Sequence, residues 1–201
     1  MRAHKTQPIG YELLGSFNLP SGKVRVTDPC YDRDVHCSGE LKVKSGKWFG
    51  AVNRTNEDSN WGVRISEIYA FHESACSDDA ELADENSGID VGVDSGQAGF
   101  FADELYPTTK DGFEYSNKEC FYGRVCEITS GEKSAGIVPE GVVSSSGFGD
   151  GGYKCLITRN DYNEIVGMKI VFIGGDEPND DGEEWDTLDE SPTGSEEQDG
   201  E

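Results

Sequence analysis

Apolar and polar positions alternate with a period of two through most of this chain, the spacing that marks strands. Lys23-Val24-Arg25-Val26-Thr27 sets two valines on one face and three polar groups on the other, as in a half-buried strand. Residues 40–55 read as a hairpin, with Leu41 and Val43 before a turn at Ser45-Gly46-Lys47 and Trp48, Gly50 and Val52 after it. Residues 88–93 read as a strand with Ile89, Val91 and Val93 buried, and 120–129, 141–145 and 153–158 follow as further strands. Residues 164–173 are apolar on both faces, Val166, Met168, Ile170 and Phe172 opposite Ile165, Val171 and Ile173, which predicts a central strand. The polar string Arg159-Asn160-Asp161-Tyr162-Asn163 before it predicts an antiparallel hairpin with 153–158.

Two stretches depart from this pattern. Trp61-Gly62-Val63-Arg64-Ile65 alternates, but Ile68-Tyr69-Ala70-Phe71 is out of phase with it across Ser66-Glu67. Either a bulge inserts one residue, or residues 64–72 form a short helix. Residues 77–85 are a second helix candidate, with Asp78 and Glu81 spaced as a cap pair. Composition agrees with strands: 14 Val and 10 Ile stand against 8 Leu, and 26 glycines supply turns. The predicted fold is mainly β, a single-domain antiparallel β-sandwich or partly open barrel with at most one or two short helices.

Charge divides the chain. Of 201 residues, 40 are acidic and 17 basic, a net of -23. Residues 176–201 hold 13 acids and no Lys or Arg, with Trp185 and Leu188 as their large apolar groups. So little burial does not offset the entropy of ordering, and the segment reads as a disordered acidic tail. The remaining 27 acids and 17 bases leave -10 on residues 1–175. The expected organisation is a loose segment over 1–14, one domain over 15–175 and the tail. So acidic a surface repels a polyphosphate backbone, which argues against direct nucleic-acid binding. No apolar run has the length of a membrane helix and no targeting segment opens the chain, so the expected location is cytoplasmic.

Candidate chemistry gathers in three Asp-containing turns. In Thr27-Asp28-Pro29-Cys30-Tyr31-Asp32 the proline ends a strand, so Asp28 either caps its own turn or is presented to a ligand. In Asp90-Val91-Gly92-Val93-Asp94-Ser95-Gly96-Gln97, Asp90 and Asp94 share a strand face but lie about 13 Å apart. Asp94, standing where the strand gives way to a turn, is the better candidate. In Ser144-Ser145-Ser146-Gly147-Phe148-Gly149-Asp150-Gly151-Gly152-Tyr153, backbone N–H groups would hold an anion, or the segment is a tight hairpin loop capped by Asp150. Tyr31, Phe100, Phe101, Phe148 and Tyr153 would wall such a site or pack in the core.

The six cysteines read as free thiols. Cys30, His36 and Cys37 lack zinc-knuckle spacing, and Cys120 and Cys126 would lie about 20 Å apart on one strand.

The strings VRVTDPCY, VGVDSGQAGF and SSGFGDGGY, at residues 24–31, 91–100 and 145–153, resemble an uncharacterised family of bacteria and their phages labelled a domain of unknown function. The resemblance implies a bacterial cytoplasm, or a host cytoplasm if the chain is phage-encoded, a mostly β domain, and special status for Asp28, Asp94 and Asp150.

The leading functional expectation is a non-catalytic module that binds a small ligand or a protein partner, in a phage setting a sponge or an antagonist of a host protein. Its site residues would be Asp28, Tyr31, Asp94, Ser95, Gln97, Ser146, Gly147, Gly149, Asp150, Gly151 and Tyr153. One alternative is a Mg²⁺- or Mn²⁺-dependent hydrolase with Asp28, Asp94 and Asp150 as ligands. Another is an acidic mimic of nucleic acid that occupies a basic protein groove.

Overall fold

The computed structural model describes residues 8–33, 35, 39–57, 62–75 and 84–174, with backbone alone for 8–11 and 84–87. Eleven strands are present: β1 (Pro8–Leu19), β2 (Lys23–Thr27), β3 (Gly39–Lys42), β4 (Gly46–Asn56), β5 (Val63–His72), β6 (Asp84–Val93), β7 (Gln97–Ala102), β8 (Ala135–Val138), β9 (Gly141–Ser145), β10 (Gly151–Arg159) and β11 (Ile165–Val171). One α-helix, α1 (Phe121–Thr129), and two 3-10 turns, Asp103–Leu105 and Lys110–Phe113, complete the described elements.

The strands form two antiparallel sheets, six-stranded in the order β1-β4-β5-β11-β10-β6 and five-stranded in the order β3-β2-β7-β9-β8. Their facing sides share one core, in which Trp48, Val52, Ile68, Met168 and Ile170 meet Val24, Val26, Phe100 and Val142. The protein is therefore a β-sandwich with few helices, as its alternation predicts. A second apolar cluster lies on the far side of the five-stranded sheet, where Phe101, Val138 and Val143 pack under Phe121 and Val125 of α1, with Tyr106 among them.

Several elements match their sequence pattern. β11 lies inside its sheet and pairs with β10 across the predicted turn. The phase break in β5 is a bulge: Asn53 faces Glu67 and Arg54 faces Ile65, which leaves Ser66 as the extra residue. Its carbonyl is used instead by the N–H groups of Phe172 and Ile173.

Other expectations are corrected. Residues 40–55 are not a hairpin, because β3 pairs with β2 and β4 with β1 and β5, so the chain changes sheets between them. β2 is more than half-buried, since Arg25 and Thr27 are covered on their side too, Arg25 by Asp103 and the Tyr106 ring. β1 starts at Pro8, so residues 8–14 are strand rather than loose. Residues 121–129 are helix: Phe121 and Val125 lie one turn apart, are both buried, and Ile128 packs beside them. Gly123 admits that packing, because a Cβ there would lie 2.0 Å from the Asn117 carbonyl oxygen. The helix also removes the basis for a 20 Å separation of Cys120 and Cys126. Of the helix candidate at 77–85, residues 84 and 85 belong to β6 and the rest lies outside the described residues. His36, Cys37 and the acidic tail lie outside them as well, and Cys30, Cys120, Cys126 and Cys155 are free thiols.

Candidate functional site

The three Asp-containing turns meet at one end of the sandwich. Pro29 stops β2, and the side chain of Asp28 turns fully into the protein. Its Oδ1 accepts the Cys30 N–H at 2.8 Å and the Ser95 hydroxyl at 2.6 Å. Its Oδ2 accepts the N–H groups of Asp94 and Ser95 at 2.9 and 2.7 Å. Four donors fill the lone pairs of one buried carboxylate, so its desolvation is offset by charge-assisted bonds. The Cys30 bond is the Asx turn that the sequence allows, and the Asp94 and Ser95 bonds clamp the β6–β7 turn onto the end of β2.

From that turn the contact passes to the third segment. The Gly96 carbonyl accepts the Ser146 N–H at 2.9 Å, and a Cβ at Gly96 would lie 3.8 Å from the Gly149 Cα. Residues 146–150 are a passage from β9 in one sheet to β10 in the other, not a tight hairpin loop. The Ser146 hydroxyl and the Tyr153 hydroxyl both donate to the Gly149 carbonyl, at 2.7 and 2.6 Å. The Tyr153 hydroxyl also reaches the Ser146 carbonyl at 3.1 Å, and its ring stands edge-on to Phe172. These bonds gather carbonyl oxygens around two hydroxyls, and the side chains at the rim are carboxylates, so the surroundings do not suit an anion.

The predicted residues thus fall into two groups. Asp28, Gln97, Ser146 and Gly147 are buried and organise the site. Gln97 points toward α1, where its Oε1 accepts the Thr129 hydroxyl at 3.0 Å and its amide approaches the Cys126 thiol at 3.9 Å. Tyr31, Ser95, Gly149 and Tyr153 are half-buried, while Asp94, Asp150 and Gly151 are exposed beside Phe148, itself 49 % exposed. Of the aromatic candidates, Phe100 and Phe101 are fully buried and serve the two apolar clusters. The Tyr31 carbonyl is held by the Tyr106 hydroxyl at 2.7 Å.

Sequence reasoning missed the wall that α1 supplies. Tyr122 and Cys126, both half-buried, bring α1 against Ser95, with Cys30 close by. Burial pushes the Cys30 thiol up to about 12, with Asp28 beside it adding to the rise. Burial, then the neighbouring Cys126, pushes Tyr122 up to about 12. Both groups therefore keep their protons at neutral pH and act as donors rather than as anions or nucleophiles. Reading residues 121–129 with a helical period would have placed Tyr122 and Cys126 on one flank, four residues apart.

The metal reading meets two obstacles. The lone pairs of Asp28 are taken, and among the described residues no group of three or more His, Cys, Asp or Glu side chains is placed to hold an ion. The described histidine, His72, sits at the far end of β5, bonded to Ser74 and Ser45. No described helix is long and apolar enough to cross a membrane. Searches against protein-family models, curated proteins and solved structures find no match.

Proposed function

We propose that the protein is a non-catalytic binding module that takes up a small ligand or a protein partner where the three Asp-containing turns meet. The observation that carries this reading is the continuous hydrogen-bonded path from Asp28 through Asp94, Ser95 and Gly96 to Ser146, Gly149 and Tyr153. Such a path spends its buried groups on holding loops still, and preorganised loops bind without a large ordering cost. The rim would select for a ligand that carries positive charge toward Asp94 and Asp150. In the bacterial or phage cytoplasm that the sequence resemblance implies, such a module acts as a sponge or as an antagonist of a host protein.

The test is a thermal-shift screen of metabolites and basic peptides on wild type and on Asp94→Asn/Asp150→Asn, followed by NMR mapping of each hit. Hits that perturb residues 94–97 and 146–153 and bind the double variant at least tenfold more weakly support the reading. Hits that map elsewhere sink it. Calorimetric titration with Mg²⁺ or Mn²⁺ separates the hydrolase alternative, which requires uptake by wild type that Asp94→Ala abolishes.

A further inference from the structure

Two adjoining rows on the outward side of the six-stranded sheet are largely apolar, beside a polar row of Asn53, Glu67, Lys154 and Asp90, where a face left to water would be polar throughout. Cross-strand pairing lines up Leu13, Ala51, Tyr69, Lys169, Leu156 and Gly88 in one row, and Phe49, Phe71, Gly167 and Thr158 in the next. Ala51, Tyr69 and Leu156 are buried yet belong to neither apolar cluster, which places them on this outer side. Phe49 and Phe71 stack at 5.7 Å, Leu13 is 62 % exposed, and Gly167 floors a shallow hollow of about 20 Å³ beside Phe71 and Lys169. Among the described elements the α-helix packs on the other sheet and none lies across this face.

We propose that this face docks the C-terminal segment of the same chain, with Trp185 and Leu188 as its apolar anchors. The described chain runs to Gly174, just past β11, a central strand of this sheet, and 27 residues follow. Trp185 lies 11 residues beyond Gly174, a reach of up to about 36 Å, while Gly167 is about 23 Å back along β11. Trp185 and Leu188 are the large apolar groups of the segment and stand three residues apart, flanked by Glu183, Glu184, Asp186 and Asp189. The face offers a cation beside its aromatic pair, Lys47, 5.2 Å from the Phe49 ring, while Lys169 and Lys154 on the neighbouring strands are already paired with Glu67 and Asp90. Repulsion from the rest of the acidic domain is screened beyond about 8 Å in physiological salt, so the apolar contact, with Lys47 beside it, decides the local balance. A segment too polar to fold by itself still places one short apolar motif when its tether keeps the local concentration high.

The test is fluorine NMR of the full chain labelled with 5-fluorotryptophan, the Trp185 signal being assigned by Trp185→Phe. In the native protein that signal is expected away from its position in urea and in a synthetic peptide of residues 176–201. Phe71→Ser, and independently Leu188→Ala, which leaves the domain untouched, should return it at least halfway to the peptide position. A native signal at the peptide position overturns the proposal, as does one that neither substitution moves. A displaced signal that vanishes on tenfold dilution assigns the face to a second copy of the chain and overturns it equally.

Discussion

The two sheets turn similar apolar residues outward and treat them in opposite ways. Phe101 and Val143 leave the five-stranded sheet into a second core, closed by Phe121 and Val125 of α1 and by Tyr106. Phe49 and Phe71 leave the six-stranded sheet half-buried, with no described helix above them. The covered face does more than stabilise the fold, because the helix that seals it also carries Tyr122 and Cys126 to the flank of Ser95. The open face keeps its apolar surface available for a further contact. The candidate site thus lies where a third layer meets the sandwich, and the proposed docking face lies where that layer is absent.

Substitutions can break this contrast, beginning with the largest effect. Phe101→Ala should cost about 3–5 kcal/mol in urea unfolding, since it opens a cavity between sheet and helix. Should Phe71→Ala cost as much, the two faces are energetically alike and the contrast fails. Next comes Asp28→Ala, expected to cost about 3 kcal/mol because it strands four donors in a buried position. Asp28→Asn should cost less, and equal losses would mean that the charge is irrelevant. Phe71→Ser, on the open face, should lower stability by only about 1 kcal/mol, being half-exposed already.

Alkaline titration probes the covered side more finely. The Cys30 thiol ionises near its ordinary 9.0 when unfolded and near 12 when folded, so the unfolded chain loses its proton first. Its contribution is whole below pH 9 and disappears as the pH rises from 9 to 12. Buried Cys155 follows the same course. Cys30→Ser should therefore unfold less steeply with pH across that window, and an unchanged slope would show that the thiol is not buried against Asp28. The smallest effect belongs to Asp94→Asn/Asp150→Asn, which should move stability by no more than about 0.5 kcal/mol while changing ligand uptake. A larger loss would make these carboxylates structural.

Strand identity was legible where a strand's pattern was simple. Val24 and Val26 alternate toward the core, Ile68 and Tyr69 resume out of phase after the bulge at Ser66, and residues 165–171 form an interior strand. Asp28, Asp94 and Asp150 stood out because proline and glycine flank them. Their unequal roles did not, because an Asx turn and a presented carboxylate share one local sequence. Residues 121–129 were misread because Cys120, Tyr122, Arg124 and Cys126 can also be set on a strand face.

By itself, the chain determined a β-rich domain, a strongly acidic C-terminal segment and three turns of unusual composition, since periodicity, charge and glycine content act over a few residues. Only the tertiary structure decided that residues 40–55 divide between two sheets, that Asp28 is buried under four donors, and that α1 completes the site. Those outcomes depend on which segments distant along the chain meet, as when the Ser95 N–H reaches Asp28, and no local pattern specifies such partners.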